Sequence, residues 1–135
     1  MLTQSYPDLS ARADEYNGLT LAYLGDAVYE LAVRERLLAG GAVASGKLHA
    51  LATGLVSAAA QSDALERIAP VLTEQENAVY HRGRNCKTLG AKSRDPVTHS
   101  RATGVEALFG YLYLKGETQR IGQLMDLIME GEKRE

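Results

Sequence analysis

Two carboxylates interrupt stretches that are otherwise apolar: Asp26 in AYLGDAVYE and Glu106 in TGVEALFGYLYL. A buried charge is costly unless it is paired or binds a metal. Small residues stand beside both acids, Gly25 and Ala27 next to the first, Gly104 and Ala107 near the second. Glycine in a helix interior costs about 1 kcal/mol relative to alanine, so Gly25 needs a reason. The expectation is that these small neighbours leave space for a cation, its waters or a phosphate, with Gly25 as the clearance beside Asp26. Hard oxygen ligands of this kind suit Mg²⁺, which takes one or two carboxylates and keeps several waters. The competing reading is that each acid is partly exposed or ion-paired.

The second chemical feature is a basic run. Arg82, Arg84, Lys87, Lys92, Arg94 and Arg101 stand against one acid, Asp95, a local charge of +5. The whole chain carries −2, so the remainder is at −7. Such asymmetry points to one anion-binding surface on an acidic body; a solvated loop paired to nearby acids is the alternative. HRGRNCKTLGAKSRDP has no interleaved aromatics, which disfavours stacking on single-stranded bases and fits phosphate contacts on a duplex.

Other chemistries find little support. His49, His81 and His99 have neither HExxH spacing nor cysteine companions for zinc. Cys86 is the single cysteine, which excludes an internal disulfide and suits a reducing compartment. GGAVASGK lacks the GxxxxGK[ST] spacing of a phosphate loop. Glu74 and Glu76, at i,i+2, do not give the ExxE pattern of an all-α pyrophosphohydrolase.

The elements that must position Asp26 and Glu106 read as helices. A helix is expected over Thr20 to Leu38, apolar on two sides and so central and buried, and stopped by Gly40-Gly41. A short helix precedes it, Ser10 to Tyr16, capped by Asp8. Ser45 caps a helix to about Ala60, a shorter one continues from Gln61 to Ala69 with Leu65 and Ile68 inward, and Pro70 ends it. Thr73 and Glu76 match a capping box for a helix through Arg84. Residues 85–98 read as a basic, mobile loop. Thr98 or Ser100 opens the Glu106 helix, with Val105, Leu108, Phe109 and Leu112 as its stripe, and Thr118 caps a last helix before a frayed GEKRE tail. No strand-like alternation persists. The expected fold is an all-α bundle of about six or seven helices.

Length and composition agree. At 135 residues one domain spanning 1–135 is expected. The N-terminus lacks a signal-peptide pattern, and no run approaches the roughly 18 apolar residues of a membrane span. The expectation is a cytoplasmic protein with no membrane partner.

LAYLGDAVYE resembles the ribonuclease III signature, an LxFLGDAVL-type helix around a metal-binding Asp. TGVEALFGYLYL resembles the family's second motif, FEALIGAIYLD, whose Glu binds the same metal. The order, the separation and the RGRN…K run between them are similar to the Mini-ribonuclease III family of stand-alone catalytic domains, over about Leu19 to Gly116. The resemblance implies the ribonuclease III endonuclease-domain fold, a homodimer, and no double-stranded-RNA-binding domain. It implies that Asp26 and Glu106 are the catalytic and Mg²⁺-binding residues of an endoribonuclease. That enzyme would cut double-stranded RNA by metal-assisted hydrolysis, leave 5′-phosphomonoesters and mature the ends of 23S ribosomal RNA precursor. Arg82, Arg84, Lys87 and Lys92 would contact phosphates, with Asn85 orienting the loop, and a ribosomal protein would be a further partner.

Two positions depart from the larger family: Ala22 and Thr103 stand where it places further acids. Tyr23 and Tyr29 are candidates for the dimer face or, equally, core tyrosines. A non-catalytic RNA-binding scaffold on the same fold is the alternative function, disfavoured because both acids are retained.

Overall fold

In a computed structural model of the chain, the residues described are 2–3, 5–41, 45–86 and 95–133. They form six α-helices: α1 (Gly18–Ala39), α2 (Ser45–Val56), α3 (Ala58–Ile68), α4 (Glu74–Arg84), α5 (Pro96–Leu114) and α6 (Thr118–Lys133). Single turns of 3₁₀ helix cover Ser10–Arg12 and Ala69–Val71, and the described residues contain no strand. The all-α expectation holds, and no described helix is long and apolar enough to cross a membrane.

Helix starts follow side-chain chemistry. Asn17 accepts from the Thr20 amide at 2.9 Å to open α1. The Thr73–Glu76 capping box forms in both directions, at 3.1 and 2.9 Å. The helix expected from Ser10 to Tyr16 is only the 3₁₀ turn Ser10–Arg12, and three further boundaries differ from the sequence reading. The break between α2 and α3 falls at Ser57, not near Ala60, because Ser57 Oγ accepts from the Ala60 amide. α5 begins at Pro96, inside the stretch expected to be loop, because Asp95 caps it through the Thr98 amide (3.1 Å) and Pro96 needs no amide partner in the first turn. α6 continues to Lys133, where a frayed tail was expected.

The central helix is α5, not α1. From Ala102 to Leu114 only Glu106 and Tyr113 escape full burial. One side of α5 meets Tyr29 and Val33 of α1, Ile68 of α3, and Leu124, Met125 and Ile128 of α6. Its other side meets Leu21 and Ala22 of α1, Val79 of α4 and Ala13. α1 is therefore buried on one face only. Its other face exposes Tyr23 (84%) and Leu31 (48%) together with Asp26. Tyr29 is a core residue, edge-on to Phe109 at 5.1 Å between ring centroids, and so is not on an exposed face.

Gly25 has a different reason from the one expected. A Cβ built there would strike the backbone carbonyl of Glu106 and lie 2.8 Å from the Gly110 amide nitrogen. A Cβ at Gly110 would in turn strike the Leu21 carbonyl and sit 3.0 Å from the Gly25 nitrogen. The two glycines let α1 and α5 cross backbone to backbone, so Gly25 is a packing contact and not a space beside a cation. The same correction applies to the neighbours of Glu106. Gly104 abuts the Tyr80 ring of α4, and Ala107 is fully buried against Gly83.

Overpacking a tight contact costs about 1–3 kcal/mol, more where backbone must move. Gly25→Ala and Gly110→Ala should each lose at least that in urea unfolding. Gly54→Ala in α2, where a Cβ meets nothing within 4 Å, should instead gain up to about 1 kcal/mol from helix propensity. Equal effects at the three sites would refute the crossing as the constraint.

Candidate functional site

The crossing places Asp26 and Glu106 together. Each acid lies at or next to the point where the α1 and α5 backbones touch, so short side chains suffice to span the gap. Asp26 is on the exposed side of α1; Glu106 is partly buried in α5. Their carboxyls are close enough for Asp26 to act on Glu106. The sequence expectation that the two acids could serve one ion requires this proximity.

Burial, and then the hydrogen bond and negative charge of Asp26, push the Glu106 carboxyl up to about 8. Near neutrality Glu106 therefore keeps its proton, because a second negative charge beside Asp26 in a partly buried place is unfavourable. A divalent cation can take the place of that proton. Two carboxylates facing each other across an exposed edge fit Mg²⁺, which completes its shell with water. Among the described residues no third His, Cys, Asp or Glu joins them. Ala22 packs beside Leu21 and Ala107, and Thr103 donates to the His99 carbonyl of its own helix at 3.0 Å. Neither position where the larger family carries an acid supplies a ligand here.

One residue at this site was not singled out from the sequence. Gln61 of α3 is 2% exposed, and its amide approaches Glu106 closely enough to favour the charged carboxylate. Its Nε2 nevertheless has no hydrogen-bond partner, a deficit that typically costs about 1–3 kcal/mol. The available signal was helical spacing: Gln61 lies four and seven residues before Leu65 and Ile68, the two positions expected to face inward.

The basic residues divide. Arg82 is half-buried and turned into the fold: its Nη1 donates to the carbonyls of Tyr16 (2.9 Å) and Asp14 (3.4 Å), tying α4 to the N-terminal segment. Arg84 and Asn85 are exposed at the end of α4, where the Asn85 amide closes the helix on the His81 carbonyl at 2.9 Å. Lys87 and Lys92 lie outside the described residues, as does most of the expected 85–98 loop.

The unfolded chain would release the Glu106 proton near 4.5, the folded chain near 8. The folded state thus binds the extra proton in between, so the associated stability is complete below pH 4.5 and is lost as pH rises through 8. In chelator, Glu106→Gln should melt several degrees above wild type at about pH 9 and match it at about pH 5. A difference of the same size at both pH values would show that the Glu106 proton is not the cause.

Residues 19–117 match the family model described as Ribonuclease III domain. The Mini-ribonuclease 3 of Symbiobacterium thermophilum is 50% identical over 119 residues, covering 84% of this chain and 92% of that protein. That of Desulfitobacterium hafniense is 54% identical over 107 residues, covering 79% and 68%. A crystal structure of a Fusobacterium nucleatum protein superposes with a TM-score of 0.76 at 31% identity, covering 87% of this chain and 94% of that one.

Proposed function

The chain belongs to the ribonuclease III family, and from that premise we propose that it is a Mg²⁺-dependent endoribonuclease that cuts double-stranded RNA at the Asp26–Glu106 pair. The observation that carries the reading is the glycine crossing of α1 and α5, which sets two carboxyls from different helices beside each other, one exposed and one partly buried. A Mg²⁺ held by both would lower the pKa of a bound water and offset charge on the phosphorane-like transition state. Asp26 offers the outer oxygens, on the side from which a phosphodiester backbone can approach. Glu106 offers the inner ones, fixed by the packing of α5. Maturation of 23S ribosomal RNA precursor in the cytoplasm is the process this proposal assigns; the Mini-ribonuclease 3 names of its relatives support a ribonuclease acting on RNA.

Cleavage of both strands needs two such sites. The exposed face of α1 carries Tyr23 and Leu31 near Asp26, and a contiguous apolar face of this kind favours a protein contact. A two-fold dimer through it would bring the sites of two copies toward opposite strands of one duplex. Arg84, Lys87 and Lys92 supply phosphate contacts in this reading, with Asn85 closing the end of the α4 helix at Arg84. Arg82, although bonded to main-chain carbonyls, adds its charge to the same surface. Recognition would be by shape, since an A-form duplex hides its major-groove edges. The whole chain acts as one catalytic domain, and specificity for a single stem would come from a ribosomal protein bound to the RNA.

Asp26→Asn and Glu106→Gln should each lower Mg²⁺-dependent cleavage of a duplex RNA by on the order of 100-fold or more; cutting at the wild-type rate by both would overturn the site. Neutralising Arg84, Lys87 and Lys92 together should weaken duplex binding and reduce the slope of log K against log salt by roughly one for each phosphate no longer neutralised. An unchanged slope removes the basic segment from the interface. Tyr23→Asp should convert the dimer to monomer by sedimentation; an unaltered dimer would place the seam elsewhere.

A further inference from the structure

The proposed function leaves Gln61 without a role. Its side chain is almost completely enclosed, yet the Nε2 donor finds no acceptor. Buried amide donors are almost always satisfied, so this one is held for an acceptor that is not yet in position. The group it faces is Glu106, from α3, while Asp26 faces the same carboxyl from α1. The Glu106 carboxyl thus has an acid near it on α1 and a buried, unpartnered amide donor near it on α3. Gln61 itself is too enclosed to touch a polynucleotide.

We propose that Gln61 is a positioning residue for the metal site: its enclosed, unpartnered Nε2 donates to one oxygen of the Glu106 carboxylate and fixes the other oxygen toward a divalent cation. The donor and the cation then hold the carboxylate from opposite sides. Partners that orient a ligating carboxylate in this way typically change metal affinity about 10- to 100-fold when removed. The inference rests on the proposed Asp26–Glu106 metal site and deepens it.

The test uses the full chain and Mn²⁺ alone, with affinity read by the electron paramagnetic resonance of the free ion and folding by thermal melting in chelator. Gln61→Met keeps the length of the side chain and removes the donor. Gln61→Asn keeps the amide and withdraws it by one methylene. Both should bind Mn²⁺ roughly 10-fold or more weakly, and the Met variant should melt no lower than wild type, since an unpaired amide has been removed. Mn²⁺ affinity within twofold of wild type in both variants overturns the positioning role, as does a fall in melting temperature with affinity unchanged. Wild type that binds no Mn²⁺, or Asp26→Asn that binds it as well as wild type, overturns the metal site itself, which separates the two failures.

Discussion

The structure depends on one contact without side chains. At Gly25 and Gly110 the α1 and α5 backbones approach so closely that a methyl on either would occupy the space of the other's main chain. Helices that cross through ordinary side chains lie about 8–10 Å apart; glycine at the crossing removes that spacer. The closeness sets the functional geometry. Asp26 follows Gly25 directly, and Glu106 supplies the carbonyl that Gly25 touches, so packing and placement of the carboxyls are one constraint. The conformational cost of glycine in two helices is offset by close packing, with the site as its consequence.

A similar economy holds the periphery in place. Gly83 of α4 meets Ala107 and Gly104 of α5, while Gly18 at the start of α1 meets the Arg82 carbonyl and Gly83. Three helices therefore lock through small residues around the length of α5 that carries Glu106. Polar clamps finish the assembly. Arg120 of α6 grips the mostly buried Glu76 with two bonds of 2.8 Å, so the carboxylate that caps α4 also anchors α6, and its pKa is held below the ordinary range chiefly by that guanidinium. Tyr111 of α5 donates to Asp14 at 2.8 Å, and Lys115 reaches the other oxygen of the same carboxylate at 2.8 Å. Asp14 and Arg82 thereby fasten the N-terminal segment over the small-residue seam.

The sequence made the helices, their caps and the identity of the acidic pair legible, because caps and apolar periodicity are local. Thr73 and Glu76 declare their helix start within four residues, and Asp26 and Glu106 stand out by contrast with their neighbours. What was not legible depends on partners distant in the chain. Glycine near an acid reads equally as space for an ion or as room for another helix, and only the arrival of Gly110 decides it. Burial of α1 was over-read for the same reason: apolar residues on two sides look like a central helix until one side is found to have no neighbour among the described residues. Tyr23 and Tyr29 are indistinguishable by type, and their opposite fates follow from which face meets Phe109. Asp95 looked like a stray acid in a basic run because a cap is recognised from the helix it opens, and Pro96 concealed that helix. Gln61 was hidden by being a polar residue at an inward position of an alanine-rich stretch.

The site so formed has unequal walls, which bears on how it would handle a charged substrate. Its inner wall is fixed: Glu106 belongs to the most buried helix and is backed by Gln61. Its outer wall is Asp26, on a face of α1 that solvent reaches. A cation held there would have carboxylate oxygen on the inside and water on the outside, so an incoming phosphodiester could replace water without disturbing Glu106. An additional acid at position 22 would enter the packed seam with Leu21 and Ala107, and one at 103 would displace a hydroxyl already bonded to its own helix. With both positions given to packing, the protein supplies two carboxylates and leaves the remaining coordination to water and substrate. RNA phosphate would then add to the affinity for the ion, because each would provide what the other lacks.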